Sequence, residues 1–143
     1  MGIDIKVVGM QKVIINLGDL KLKGVDLTPA MKRGGLVMLS SINQNFARGG
    51  RPVAWRPLKD ATLKTKLKKG YGPYPLIRTG NLRKSISAQP GPESLIIGTS
   101  IIYGRTHQQG RGAIPARPYL LFQKSDIQQI QKLILRYLGF KAL

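Results

Sequence analysis

Ile3, Ile5 and Val7 alternate with Asp4 and Lys6, the period of a strand with one buried face, and Gly9 ends the run. From Met10 to Leu22 the apolar positions Met10, Val13, Ile14, Leu17 and Leu20 or Leu22 fall near helical spacing. That pattern predicts a helix, against which Gly18 and several β-branched residues count. A clearer helix follows in "VDLTPAMKRGGLVMLSSINQNFARGG". Thr28 suits the N-cap, Pro29 sits where its missing donor costs least, and Gly35, Met38, Leu39, Ile42 and Phe46 share a face. Gly49 and Gly50 supply the stop. Gly34 and Gly35 inside this helix each cost about 1 kcal/mol relative to alanine, so they mark close packing or a kink.

Pro52, Pro57, Pro73 and Pro75 then forbid long regular elements, leaving room for one short basic helix at "KDATLKTKLKK". Residues 48–76 read as an extended basic loop or arm within a single domain spanning 1–143. "RTGNLRKSISAQ" predicts a turn, with Thr79 as its cap, leading into a strand through Ile86. "PGPES" is a turn, and "LIIGTS" is the hairpin partner. "YGRTHQQGRGAIPARPYLLF" begins as an irregular loop and becomes extended over Ile114–Phe122. Ser125 caps a final helix whose stripe is Ile127, Ile130, Leu133, Ile134, Tyr137 and Leu138, with Asp126 at the positive end of its dipole. The fold class is α+β: a small antiparallel sheet packed against the long middle helix and the C-terminal helix.

Composition changes this picture mainly through charge. The 143 residues carry 24 Lys and Arg against 6 acids, a net charge of +18. Such an imbalance attracts polyanions or acidic partners and leaves few carboxylates for catalysis. Between Arg48 and Lys84, eleven cations meet only Asp60. There is no cysteine, which excludes disulfides, thiolate metal sites and a Cys nucleophile and suits a reducing compartment. The first residues do not look like a signal peptide and no run is long and apolar enough to cross a bilayer, so a soluble protein without membrane contact is expected.

His107, the only histidine, can act as a general base or a metal ligand, but neither task is easily done alone. The next acid along the chain is Asp126, and a hydrogen-bonded structural or interface histidine is the better reading. No cofactor or metal is expected. In "TLKTKLKKGYGPY", Lys64, Lys66, Lys68 and Lys69 stand beside Tyr71 and Tyr74. That mixture suits a phosphate backbone, an acidic protein surface or simply solvent. "GYGPY" lacks the strand before it and the Lys-Ser or Lys-Thr after it that a phosphate-cradling loop needs. Trp55 reads either as an anchor on its own core or as an interface anchor.

Taken in order, "NFARGGRPVAWRPLKDATLKTK", "PLIRTGNLRKSI", "IIGTSIIYGRTHQQG" and "IPARPYLLF" resemble the phage virion morphogenesis family, the tail-completion and neck proteins of Mu-like and related tailed phages. The positions that carry the resemblance include Trp55, Pro57, Leu58, Arg78, Thr79, Gly80, Leu82, Ser85, Ile86, Tyr103, His107, Gln108, Gly110, Pro115, Arg117, Pro118 and Leu120. Tyr119 stands where the pattern more often has Phe, and Gly104 where it more often has Ala. The resemblance implies a non-enzymatic subunit of the head–tail junction, forming an oligomeric ring around the DNA exit channel in the virion and made in the host cytoplasm. Its partners would be copies of itself and other neck, connector or tail-tube proteins, with at most nonspecific DNA contact. Trp55, Arg78, Tyr103, His107, Gln108, Arg117 and Tyr119 are then assembly candidates, and the four lysines from Lys64 to Lys69 are contacts for DNA or an acidic partner. The rival reading is a nonspecific nucleic-acid-binding protein, and a weaker one is a hydrolase using His107.

Overall fold

The computed structural model describes residues 4–8, 12–16 and 25–139. Its order is β1 (Asp4–Val8), β2 (Lys12–Asn16), α1 (Thr28–Arg48), α2 (Asp60–Lys68), α3 (Asn81–Ser85), β3 (Ser87–Pro90), β4 (Ser94–Gly98), α4 (Gly104–Gln109) and α5 (Lys124–Tyr137). The four strands form one antiparallel sheet in the order β1-β2-β4-β3. α1 packs on β3, on β4 and on α5, so the α+β class and both long helices are as the hydrophobic pattern predicts.

The helix expected over Met10–Leu22 is corrected: Lys12–Asn16 is a strand paired with both β1 and β4, and the remainder of that span lies outside the described residues. Val13, Ile14 and Ile15 are three consecutive β-branched residues. Their restricted χ1 suits a strand, and sheet pairing on both sides outweighs a helical period of so few turns.

α1 buries Ala30, Met31, Met38, Ile42 and Phe46 at successive turns. Its cap differs from expectation. Leu27 holds the cap position, and Asp26 Oδ1 accepts hydrogen bonds from both the amide and the hydroxyl of Thr28. The aspartate caps from one residue further out, because a carboxylate has the lone pairs for two donors at once. At the other end Gly49 adopts φ 69°, and the Gly50 amide donates to Asn45 O at 2.7 Å. The two internal glycines separate in role. A Cβ on Gly35 would stand 3.1 Å from the Ala88 methyl of β3, so helix and sheet approach closely there, whereas a Cβ on Gly34 would meet Ile130 at an ordinary 3.6 Å.

In β4, Leu95 and Ile97 are fully buried while their neighbours are half-exposed, the alternation of a strand with one face on a core. α5 presses Ile130 and Ile134 into the same core, and Tyr137 stays on the rim, donating its hydroxyl to Asp26 O. Ser125 is not its cap: Gln123 holds that position in a reciprocal arrangement in which the Asp126 side chain accepts the Gln123 amide at 2.8 Å. Asp126 serves as the third helical residue of a capping box, a task its position favours over simple dipole compensation. Two short helices were not legible as such: α3 between the turn at Gly80 and β3, and α4 inside the stretch expected to be irregular. Each is about one turn, too short to show a period.

Candidate functional site: a wall of motif residues and a basic cleft

The segment from Pro115 to Leu121 has little regular structure, so its backbone groups must find partners elsewhere. α4 provides them. Gln108 Oε1 accepts the amides of Tyr119 and Leu120, both at 3.0 Å, and its Nε2 donates to Leu120 O. The Arg117 amide donates to His107 O at 2.8 Å. From the other side, Asn45 Nδ2 donates to the carbonyls of Tyr119 and Leu121. One glutamine and one asparagine therefore do for this extended segment what neighbouring strands would do in a sheet.

Tyr119 is fully buried against Phe46, which also meets Trp55 edge to face at 5.7 Å. The Tyr119 hydroxyl donates to Gly104 O at 2.9 Å, and burial raises its pKa above the ordinary tyrosine value. Gly104 makes this possible, because a Cβ there would lie 2.7 Å from the Tyr119 hydroxyl and 2.8 Å from Thr99 Cγ2. Trp55 is buried, and its indole N–H donates to Pro118 O at 3.0 Å. Arg117, 7 % exposed, donates Nε to Arg56 O at 2.8 Å and Nη2 to Pro57 O. Its fork ties the loop after Trp55 to the wall. The carbonyls supply partial charge to a guanidinium that burial and nearby Arg56 both push toward a lower pKa.

Behind the wall lies a polar network that the sequence reading did not isolate. Arg51 Nη2 donates to Ser41 O and Oγ, and its Nε donates to Asn45 Oδ1. The Ser41 hydroxyl donates to Asp126, the buried acid that also accepts the Gln123 amide. A signal was present: Ser41 and Asn45 are polar residues one turn apart on the apolar face of α1, where unpaired groups would be costly.

His107 is half-buried in α4, edge to face with exposed Tyr103 at 5.9 Å. Its Nδ1 is buried without a hydrogen-bond partner. Burial lowers its pKa, and the positive charge of Arg117 adds to the effect. The imidazole is held neutral at pH 7, but a base of the usual kind needs a group that orients its second nitrogen, and here that nitrogen has none. Asp126 is committed elsewhere, and among the described residues no three His, Cys, Asp or Glu side chains gather where a metal could bind.

The basic tract lies across from α4. No residue of α2 is buried, and Lys64, Lys68 and Lys69 are exposed. Lys66 differs: its ammonium donates to Tyr74 O at 2.6 Å and Ile77 O at 3.0 Å, and burial, Arg117 and Arg78 lower its pKa. Gly80 turns the chain with φ 82°, and Thr79 Oγ1 accepts the Asn81 amide across that turn. Arg78 reaches back over the Tyr71 ring, 4.9 Å from its centroid. Between α2, this loop and α4 runs a cleft of about 600 Å³, bordered by Lys66, Tyr71, Ile77, Arg78, Tyr103 and His107. The structure thus brings Arg78, Tyr103, His107 and Lys66 to one cleft. It places Trp55, Gln108, Arg117 and Tyr119 in the adjoining wall, and sets Lys64 and Lys68 outside both.

The description "phage virion morphogenesis family" fits residues 8–139 of the chain. Among curated proteins, Mu-like prophage FluMu G protein 2 of Haemophilus influenzae strain Rd is 34 % identical over 131 residues, covering 87 % of each chain. The putative capsid assembly protein G of Escherichia phage Mu is 30 % identical over 105 residues, 65 % of this chain and 67 % of that one. No solved structure matches. With nearly the whole described fold inside the matched span, this chain belongs to the phage virion morphogenesis family.

Proposed function

We propose that the chain is a non-enzymatic structural subunit of the head–tail junction, completing the tail or joining it to the head as a ring of copies around the DNA exit channel. The observation that carries this reading is the use of the motif side chains: Trp55, Gln108, Arg117 and Tyr119 are all spent on backbone groups of the chain itself. They build a rigid wall, and what that wall displays is a cleft with cations and aromatic rings rather than a nucleophile with an oriented base. The phage Mu relative's description as a putative capsid assembly protein supports a building role. In this reading the neighbours are further copies and other neck, connector or tail-tube proteins, and the site of action is the virion.

Electron microscopy of particles made without the protein tests it: separate heads and tails are expected, and fully joined, infectious particles would refute it. Native mass spectrometry should show a closed oligomer. The exposed Lys64, Lys68 and Lys69, together with the net charge of +18, favour a second reading as a nonspecific nucleic-acid-binding protein. A duplex affinity that falls steeply with salt, alongside normal joining of heads to tails in its absence, would move that reading first.

A further inference from the structure

The cleft between α2 and α4 combines two chemistries. Leu76, Ile77 and Leu82, half-buried or buried, give it an apolar lining, and exposed Arg78 and Lys69 lie on or beside its border. Lys66 is committed to carbonyls, so Arg78 is the cation on offer; among the described residues it contacts the Tyr71 ring, which leaves its forked donors uncommitted. His107 and Tyr103 line the opposite border.

A second copy of the chain is a poor occupant. Its six acids, Asp4, Asp19, Asp26, Asp60, Glu93 and Asp126, stand singly, and the nearest pair, Asp19 and Asp26, is seven positions apart. No acidic stretch exists to offer, and Asp126 is buried. A nucleic-acid backbone would satisfy the charge but brings no aliphatic group for the lining, and Arg78 already covers one face of Tyr71 that a base would stack on. From this complementarity we infer that the cleft docks an extended acidic segment of a different virion protein, seating an apolar side chain on Leu76 and Ile77 and a neighbouring carboxylate on the Arg78 guanidinium. The inference rests on the reading of the chain as an assembly subunit and adds where, and with what chemistry, a partner is held.

The test uses the full chain and fluorescence anisotropy at several salt concentrations. One probe is a short peptide of Asp and Glu around a single Phe, a second replaces that Phe by Ser, and a third is an oligonucleotide of equal charge. The Phe peptide should bind about tenfold tighter than its Ser twin, and Arg78→Gln should remove about tenfold of that affinity. The paired change Lys64→Ser with Lys68→Ser, outside the cleft, should weaken both peptides alike and preserve their ratio. Equal affinities for the two peptides would overturn the proposal, as would unchanged binding by Arg78→Gln or tighter binding of the oligonucleotide with displacement of the Phe peptide. In phage carrying Arg78→Gln, unjoined heads and tails are expected; normal joining would overturn the docking role while leaving the junction reading to its own deletion test.

Discussion

Arg117 and Arg78 stand in two motifs of the same chain, and their surroundings give them opposite work. On the α4 side, Arg117 is buried with its donors on the carbonyls of Arg56 and Pro57, and Gln108, Trp55 and Tyr119 close similarly on backbone. On the α2 side nothing in the helix is buried, one lysine tethers the loop that follows, and Arg78 lies over a tyrosine with its fork available. A cation whose head meets carbonyls is a structural strut even in a strongly basic protein, and a cation laid on an aromatic face at the surface remains open to a partner. Motif membership alone does not separate the two cases; burial and donor use do.

The sharpest way to break this comparison is Tyr119→Ala. It removes the ring packed on Phe46 and should cost about 3–5 kcal/mol in a denaturant titration. A loss under about 1 kcal/mol would mean that the wall is no more rigid than α2. Next comes Gly104→Ala, whose methyl meets the Tyr119 hydroxyl and Thr99, with an expected loss of about 1–3 kcal/mol. In a Tyr119→Phe background the same change should cost less, and a double-mutant cycle that proves additive would refute the contact.

His107 supplies a pH test of the wall. Its folded-state pKa lies below the ordinary value near 6.5, so at neutral pH the imidazole is uncharged in both states and costs nothing. As pH falls through 6.5 the unfolded chain takes up a proton that the folded chain resists, and stability falls until the folded-state pKa is passed. Urea midpoints between pH 7 and pH 5 should decline more for the natural protein than for His107→Gln; parallel declines would show that burial of the ring does not matter. The smallest effect belongs to the exposed side: Lys64→Ser with Lys68→Ser should change stability by no more than about 0.5 kcal/mol. Any duplex binding should lose about 0.9 from its log–log salt slope for each phosphate contact removed. A marked destabilisation would place these lysines in the fold after all.

The elements with long periods were legible in sequence: α1 and α5 from their apolar stripes, the β3–β4 hairpin from its turn, and α2 from the one proline-free stretch in the basic tract. Lys12–Asn16 was misread because a five-residue run can satisfy a helical and an extended pattern together, and its partner β4 lies some eighty residues away. The capping side chains Asp26 and Gln123 each sit two residues before the expected Thr28 and Ser125, since side-chain reach is not written in the order of residues. Arg78, Tyr103 and His107 could be named from their motifs, but their meeting with Lys66 and Tyr71 at one cleft depends on how the loop folds back. The Ser41–Arg51–Asp126 network joins residues 85 positions apart and needed the packing of α5 on α1 to appear.

The contact between Tyr119 and Gly104 also orders the substitutions open to this protein over time. The two positions touch, so the residue at one limits what the other can take. Losing the hydroxyl first costs about one hydrogen bond, roughly 1 kcal/mol, and leaves room behind it. Adding the methyl first drives an atom into an occupied space. A lineage moving from Tyr and Gly toward Phe and Ala therefore loses less by passing through Phe first, with Thr99 Cγ2 still having to give way to the methyl, and a lineage moving the other way loses less by giving up the alanine before it gains the tyrosine.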